Sequence, residues 1–459
     1  MGQPRLSSVG SKFRRRPGDQ SFHACPARPT LSQLWRGIDV AAPQWVSKFQ
    51  STTHRSNVYV ARQPILNPSG RVFGYELLYR EVGSDTACTL GTEAASARVF
   101  SDAVLAMGLD HLTAGRRAFM NVSRQVLLSD IATVLPSETV ILELLEDIAV
   151  DDDVIDACRR LRAKGYTLAL DDFTLGSPTE ALLPHASIVK VDLLSTTPQD
   201  RAKIVKMVPK SMKLIAEKVE TAAAFEEASK AGYHLFQGYY FCRPATFKAR
   251  TLSATATTYA RLLVVLNKPE ATVFEVEDLI KRDASLTYRV LQCVNSAAFG
   301  IRRQLDSIRQ ALVLLGLDQV RKWASVWVLA GLNVGGNPEV LTTAVVRARC
   351  CELIAESVVG REDAAEYFLL GLCSLLDAML GRPMEEAVSD LPVTDKVRSA
   401  LLGEQNFARS VLDAVISYER ALWDASATLL EQIGAEPDRL SAAYGDALGW
   451  ARGLQQAAA

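Results

Sequence analysis

The sequence contains no long apolar run and no excess of charge of either sign. Apolar residues make up 48% of its 459 positions, but no uninterrupted run reaches the roughly 18 residues that a membrane-spanning helix needs. Lysine and arginine number 51 and aspartate and glutamate 52, which leaves a net charge of −1. We therefore expect no membrane partner, and the charge balance argues against a globally basic nucleic-acid binder.

Paired cysteines are also missing. The eight cysteines lie at positions 25, 88, 158, 242, 293, 350, 351 and 373, without any C-x-x-C spacing. Neither a zinc ribbon nor a thioredoxin-like redox motif is indicated. We interpret these residues as buried free thiols of a protein in the reducing cytoplasm.

The first 56 residues differ in composition from the rest of the chain. They carry nine lysines and arginines against only Asp19 and Asp39, with proline and serine scattered among them. Because they lack the apolar core of a secretory signal, we predict that residues 1–56 form a disordered basic leader or an over-extended start. A phosphate-binding arm is the functional alternative.

Residues 57–248 alternate short β-rich runs with helical patterns. Eight such runs occur in order: VYVARQPI, VFGYELLYR, RRAFMNV, TVILELLE, YTLALDDF, ASIVKVD, KLIAEKVE and YHLFQGYYF. This alternation predicts an α/β fold, a TIM-like β/α barrel. Acidic and amide residues cluster at the C-terminal ends of these runs, where barrel enzymes place their functional groups.

The β pattern stops after Pro244. From Leu252 to about Leu454, Ala, Leu and Val recur at spacings of three and four residues, as in SIRQALVLLGLDQVRKWASVWVLAGL. We predict an all-α second domain over residues 249–454, with residues 455–459 as a tail.

Seven motifs in the first domain resemble, in order, those of the EAL family of cyclic di-GMP phosphodiesterases. The signature Glu-Ala-Leu appears as Glu76-Leu77-Leu78 in GYELLYR, after RQPI, and NVS, ELLE, LDDF, KVD, AEKVE and QGYYF follow it. The resemblance implies a barrel that binds cyclic di-GMP and hydrolyses it with two Mg²⁺ or Mn²⁺ ions, which require hard oxygen ligands.

The resemblance also implies a role for each residue of these motifs. Five residues are implied as metal ligands: Glu76, Asn121, Glu143, Asp171 and Asp172. Three are implied in catalysis: Glu217 as ligand or general base, Lys190 as the group that orients the attacking water, and Glu146 as the anchor of the following loop. Five are implied in substrate binding: Gln63, Asp192, Glu220, Gln237 and Arg80, which would grip a phosphate as a planar donor fork.

Two segments depart from the family pattern. Active members read DDFGTGYSS after the twin aspartates, whereas this chain reads DDFTLGSPTEALL, with Thr174 in place of the first glycine. Since threonine tolerates positive φ poorly, we expect this loop to take a different path. The second departure is Lys218 in AEKVE, where the family has glycine. One hypothesis is that its ammonium partly substitutes for a metal cation; the alternative is that it points away from Glu217.

The helical half resembles the HDOD domain. The motif residues that carry this resemblance are Asp283, Asn295-Ser296-Ala297, Phe299-Gly300, Ser307-Ile308 and Leu315-Gly316. HDOD domains are related in fold to HD phosphohydrolases, whose metal sites require histidines. All five histidines precede this half, and the expected His-Asp pair reads Leu376-Asp377. We therefore expect a regulatory or interaction module, in which Trp323 and Trp327 belong to the core or anchor a partner.

Both resemblances together are typical of the EAL/HDOD subfamily. They imply a cytoplasmic bacterial signalling protein whose barrel binds cyclic di-GMP, with slow hydrolysis to the linear dinucleotide pGpG left open. The HDOD domain is expected to bind protein partners, which the sequence does not identify, and homodimerisation stays open. The alternative is a catalytically inactive adaptor that acts through protein contacts alone. Nucleic-acid binding is disfavoured, since the folded regions have no basic stripe interleaved with aromatics.

Overall fold

The computed structural model of the chain describes residues 58–81, 108–238, 240, 272–282, 287–288, 290–291, 307–332, 337–389 and 393–458. The predicted leader, the expected boundary at residue 248, and the HDOD motif residues 283 and 295–300 lie outside this part of the chain. Contacts unite Ser56–Ala459 into one compact unit.

Eight strands close into a barrel in sequence order, which confirms the predicted fold class. Their bounds are β1 Val58–Leu66, β2 Val72–Glu81, β3 Arg117–Val122, β4 Val140–Leu144, β5 Thr167–Leu170, β6 Ile188–Asp192, β7 Lys213–Glu217 and β8 Leu235–Gln237. From β2 to β8, neighbouring strands are parallel, whereas β1 is antiparallel to both β2 and β8. The reversal arises because β1 and β2 are joined by a tight turn, in which the N–H of Gly70 donates to the carbonyl of Asn67.

Helices connect the parallel strands of the barrel. They are α1 Leu109–Thr113, α2 Arg124–Leu128, α3 Asp152–Ala163, α4 Pro198–Met207 and α5 Ala222–Ala231, with 3₁₀ helices at Asp130–Val134 and Pro178–His185. Side-chain caps begin several of them, as where the Asp151 carboxylate accepts from the N–H of Val154 at 3.0 Å.

The barrel interior has an apolar layer beneath a polar one. Seven strands each contribute one residue to the apolar layer: Ile65, Phe119, Ile141, Ala169, Ile188, Ile215 and Leu235. Side chains two positions apart on a strand point to the same face. The polar layer therefore comprises Gln63 on the reversed β1 and, two positions further along the other strands, Asn121, Glu143, Asp171, Lys190, Glu217 and Gln237.

The helical half, defined as the described residues from Thr272 onward, is all-α as predicted. Its helices are α6 Val273–Lys281, α7 Ile308–Leu315, α8 Leu317–Leu332, α9 Pro338–Val359, α10 Arg361–Cys373, α11 Leu376–Leu380, α12 Met384–Ser389, α13 Asp395–Leu401, α14 Phe407–Glu419, α15 Trp423–Gln432 and α16 Pro437–Ala458. Helices α9 and α10 cross closely at Gly371, where a Cβ would lie 2.6 Å from the Ala348 backbone. Trp327 is buried and belongs to the core, whereas the Trp323 side chain lies outside the described part.

Helices α14 and α16 pack against the N-terminal part of β1, which lies beyond its pairing with β8. The Tyr418 hydroxyl accepts from the N–H of Val60 and donates to its carbonyl, both at 3.2 Å. Tyr75 on β2 donates to the buried carboxylate of Glu339 on α9 at 2.9 Å. An exposed strand edge is thus covered by the second half of the chain.

Four of the predicted free thiols are described, and all four are buried and unbridged: Cys158, Cys350, Cys351 and Cys373. Burial raises the pKa of the Cys158 thiol to about 11, so it stays protonated and unreactive near neutral pH. Among the described residues, none of the helices has both the length and the apolar content to cross a bilayer.

Candidate functional site

Lys190 lies at the centre of the polar layer, surrounded by carboxylates from four strands. Its Nζ lies 2.7 Å from Asp171 Oδ1, 2.9 Å from Glu143 Oε1, 3.0 Å from Glu217 Oε1 and 3.3 Å from Glu76 Oε2. The Lys190 side chain is 1% exposed and that of Glu143 is fully buried. Four predicted metal-site or catalytic carboxylates therefore converge on one ammonium; we call these five residues the Lys190 cluster.

The charges of the Lys190 cluster perturb each other strongly. Burial raises the pKa of both Glu143 and Glu217 well above the usual range, and the attraction of Lys190 offsets this only in part. Burial by itself lowers the pKa of Lys190, but the surrounding carboxylates, Asp171 first, outweigh it and hold that pKa well above normal. The ammonium is thus held in its charged form, and four carboxyl groups share this one cation.

The two other predicted metal ligands border this cluster. Asn121 Oδ1 is buried and has no hydrogen-bond partner. Asp172 adopts a left-handed backbone with φ of 40°. Burial, and then repulsion from Asp171, raise the pKa of its carboxyl group.

In residue type and charge, this site fits a divalent cation. The buried Asn121 oxygen and Glu143 Oε2 have no hydrogen-bond donor, and carboxylate and amide oxygens are ligands that hard cations prefer. The arrangement of the side chains, however, is that of an ion-pair cluster. Among the described residues, no group of three or more acidic, histidine or cysteine side chains is arranged to hold a metal. The reason is that Lys190 occupies the point on which the carboxylates converge.

Three residues of the predicted substrate set lie beside the Lys190 cluster. Gln237 Nε2 donates to Glu76 Oε2 at 2.6 Å and to Gln63 Oε1 at 3.1 Å. Gly238 holds this position, because a Cβ there would lie 2.4 Å from the Val219 N and O atoms, and its φ is 148°. Gln63, Gln237 and Glu220 line a cavity of about 250 Å³, which Thr343 and Arg420 close from the helical half.

Asp192 is held by Lys218 rather than by the Lys190 cluster. Lys218 Nζ lies 2.6 Å from Asp192 Oδ2. Although burial opposes it, this contact keeps the pKa of Asp192 below its usual range. Asp192 Oδ1 also accepts from the N–H of Leu194 at 2.7 Å. The Lys218 ammonium therefore pairs with an acid at the rim, whereas Lys190 pairs with the four acids of the cluster.

The backbone at Lys218 explains why glycine suits this position. Lys218 has a φ of 52°, in the left-handed region where a Cβ is strained. Its side chain is about half exposed. The backbone at residue 218 therefore has the left-handed conformation that favours glycine, while the lysine side chain places an ammonium group at the mouth of the barrel.

The loop after Asp172 contains a positive φ at Gly176 and not at Thr174. Its closure comes from Glu180, whose carboxylate accepts from the N–H of Gly176 at 2.8 Å. Pro178 begins the 3₁₀ helix that follows. Glu146, the predicted anchor, is exposed; burial of part of its carboxyl group and the nearby Asp171 and Asp172 raise its pKa. Its role as an anchor stays a prediction.

Arg80 reaches a residue that sequence reasoning missed. Its Nη1 lies 2.6 Å from Asp424 Oδ1 at the start of α15. Next to this pair, Trp423 stacks on Tyr59, with ring centroids 5.9 Å apart. No local motif marks Asp424 or Trp423, since they lie more than 300 positions from their partners along the chain.

Both halves match known sequence families. The EAL domain family matches residues 46–244, and the HDOD domain family matches residues 252–380. The uncharacterized protein YuxH of Bacillus subtilis is 34% identical over 409 residues, which cover 87% of this chain and 99% of YuxH. The cyclic di-GMP phosphodiesterase CdgJ of Vibrio cholerae is 32% identical over 386 residues, which cover 83% of this chain and 89% of CdgJ.

Among solved structures, the manganese and cyclic di-GMP complex of BlrP1 from Klebsiella pneumoniae at pH 6 is 24% identical, with a TM-score of 0.35. The matched region covers 40% of this chain and 55% of BlrP1, about half of that protein's length.

Proposed function

Because the chain belongs to the EAL/HDOD family, in which an EAL domain precedes an HDOD domain, we propose that it acts in cyclic di-GMP signalling. Its barrel binds cyclic di-GMP and hydrolyses it slowly to the linear dinucleotide pGpG, and its helical half passes the occupancy of the barrel to protein partners. The convergence of Glu76, Glu143, Asp171 and Glu217 at the barrel mouth is the observation that carries this proposal.

The proposed cofactor is a divalent cation, Mg²⁺ or Mn²⁺. Its proposed ligands are Glu76, Asn121, Glu143, Asp171 and Asp172. When bound, such ions lower the pKa of a coordinated water and stabilise charge on the attacking and leaving oxygens. Membership of the EAL family supports a divalent cation in general. In this chain, the unpaired Asn121 oxygen and the excess of carboxyl groups over Lys190 support it.

The chain's own residues supply proton transfer and orientation. Glu217 is the proposed general base, since burial raises its pKa and so makes its carboxylate a stronger proton acceptor. As water attacks phosphorus, Glu217 takes the water proton, one P–O ester bond breaks, and the departing ribose oxygen takes up a proton to become the free hydroxyl of pGpG. Lys190, held in its charged form, orients the attacking water and balances the carboxylates around it.

The substrate residues lie on the same side of the barrel. Arg80 is the proposed donor to a phosphate oxygen, because a guanidinium offers parallel N–H groups to an oxyanion. Gln63, Gln237 and Glu220 lie in the shared cavity, where amide and carboxylate groups suit the hydrogen-bonding edge of a base. Asp192, paired with Lys218, completes the rim.

A second candidate is a receptor or adaptor without turnover. It is favoured by the position of Lys190, which occupies the point where the carboxylates meet, and by the loop after Asp172, which lacks the glycine at Thr174. In that case the barrel still folds around a charged cluster, and the output comes from contacts of the helical half.

One experiment separates these functions. The purified full chain is incubated with cyclic di-GMP and either Mg²⁺, Mn²⁺ or a chelator, and both binding and linear product are measured. We expect binding, and slow product formation that requires the metal and is lost in Glu76→Ala. Binding without product makes the chain a receptor. The absence of both contradicts the proposed function and leaves the adaptor.

The cytoplasm is the proposed location. Buried, unbridged thiols such as Cys350 and Cys351 suit a reducing compartment. The expected domain division at residue 248 belongs to the same proposal, as does homodimerisation.

A further inference from the structure

The Arg80–Asp424 ion pair connects the helical half to the proposed ligand site. Arg80 lies four positions after Glu76 on β2, so the two side chains leave the strand on the same face. Glu76 belongs to the Lys190 cluster, and Arg80 lies nearer the end of the strand. The guanidinium that best suits a ligand phosphate is thus already engaged by a carboxylate of the chain itself.

The position of Asp424 follows from packing next to it. Tyr59 is the register partner of Arg80 on the neighbouring strand β1. Trp423, which precedes Asp424, stacks on Tyr59. It also makes an edge-to-face contact with Tyr418, with ring centroids 4.9 Å apart. Because Trp423 is fixed by two tyrosines, Asp424 is presented to Arg80 at the first turn of α15, where the helix dipole favours a carboxylate.

The two partners of the pair differ in exposure. The Arg80 side chain is 11% exposed, whereas that of Asp424 is 79% exposed. Asp424 therefore returns to water at little cost, while the shielded Arg80 guanidinium attracts any anion that takes its place. Such a pair behaves as an exchangeable counter-ion, unlike a buried pair in which both charges would be stranded.

We propose that Asp424 holds the place of the ligand phosphate on Arg80, so that ligand binding releases the start of α15 from the barrel. This inference rests on the proposed function and adds to it a route from the barrel to the helical half. Phosphate and Asp424 compete for one guanidinium, which lowers ligand affinity. Displacement of Asp424 removes one of the contacts that hold the start of α15 on the barrel.

The test compares cyclic di-GMP binding by the wild-type chain and by two isosteric variants. Asp424→Asn removes the competing charge. Asp438→Asn is the matched control, because Asp438 is also an acid of the helical half that contacts the barrel, where its Oδ1 accepts from the Tyr59 hydroxyl at 2.8 Å. Binding is measured with Ca²⁺ and with Mg²⁺, and thermal unfolding verifies that each variant is folded.

We expect Asp424→Asn to bind cyclic di-GMP about two- to fivefold more tightly, as removal of an exposed ion pair predicts, and Asp438→Asn to bind as wild type does. In an Arg80→Gln background, Asp424→Asn should have no effect. Equal affinity of wild type and Asp424→Asn overturns the competition but leaves the proposed function intact. No binding by any of these proteins overturns the proposed function and the inference with it.

Hydrogen exchange tests the release of α15 directly, which a binding affinity does not. Saturating cyclic di-GMP should accelerate exchange of the backbone amides at the start of α15 in the wild-type chain, and should change them little in Asp424→Asn. Unchanged exchange of these amides in the ligand-bound wild type overturns the release of α15.

Discussion

The barrel and the helical half each bury one cation among carboxyl groups, but the two clusters differ in their balance of charge. On α9, Arg347 is 1% exposed and binds both carboxylate oxygens of Glu419, with a further bond to Ser374 at 2.9 Å. In the barrel, four carboxylates share Lys190, and the buried Asn121 oxygen has no hydrogen-bond partner. Removing one partner of a matched buried pair strands the other charge and destabilises the fold, whereas an unmatched excess indicates a place for a ligand.

Neutralising a carboxylate should therefore have opposite effects in the two halves. The largest effect is expected for Glu419→Gln, which leaves the Arg347 guanidinium buried with a neutral partner. We predict a loss of about 3–5 kcal/mol in the free energy of unfolding, measured by urea denaturation. The double variant Arg347→Met, Glu419→Leu should recover most of it, since an apolar pair strands no charge. A loss below about 1 kcal/mol in Glu419→Gln would contradict the balanced-pair interpretation.

The same substitution in the barrel should stabilise the metal-free chain. Because the pKa of Glu143 is raised in the folded state, its contribution to stability is present at acidic pH and is lost as pH rises above the unfolded value. We predict that Glu143→Gln gains about 1–3 kcal/mol over wild type at pH 8 and little at pH 4 to 5. Unfolding in a chelator at both pH values checks this. A stabilisation independent of pH would point to packing instead of charge.

A smaller effect is expected at the rim. Lys218→Gly and Lys218→Ala both remove the ammonium from Asp192, but only glycine relieves the positive φ. We predict that the glycine variant is more stable than the alanine variant by about 1 kcal/mol. Metal affinity and hydrolysis rate should change alike in both variants if the Lys218 charge affects the site. Unchanged values would sink the hypothesis that this lysine substitutes for a cation.

Local patterns predicted the elements that build the site. The eight β-rich runs predicted every strand of the barrel, and the motifs within them contain Glu76, Glu143, Asp171 and Glu217, which meet at Lys190. Lys190 was predicted near the same water, but its central position follows from the closed barrel, which directs one side chain among four acids. The hydrophobic periodicities of strands and helices do not indicate which strand ends face each other.

By itself the sequence determined the barrel, the helical half and the family, because strand and helix periodicities and motif spacing are local properties of the chain. Only the tertiary structure decided which charges are matched. Arg80 meets Asp424 and Tyr59 meets Trp423 because the start of α15 contacts β1 and β2, and such pairings depend on how whole elements dock. The motifs contain the acids of the Lys190 cluster, but the partner of Arg80, the proposed phosphate-binding residue, is set by packing between the two halves.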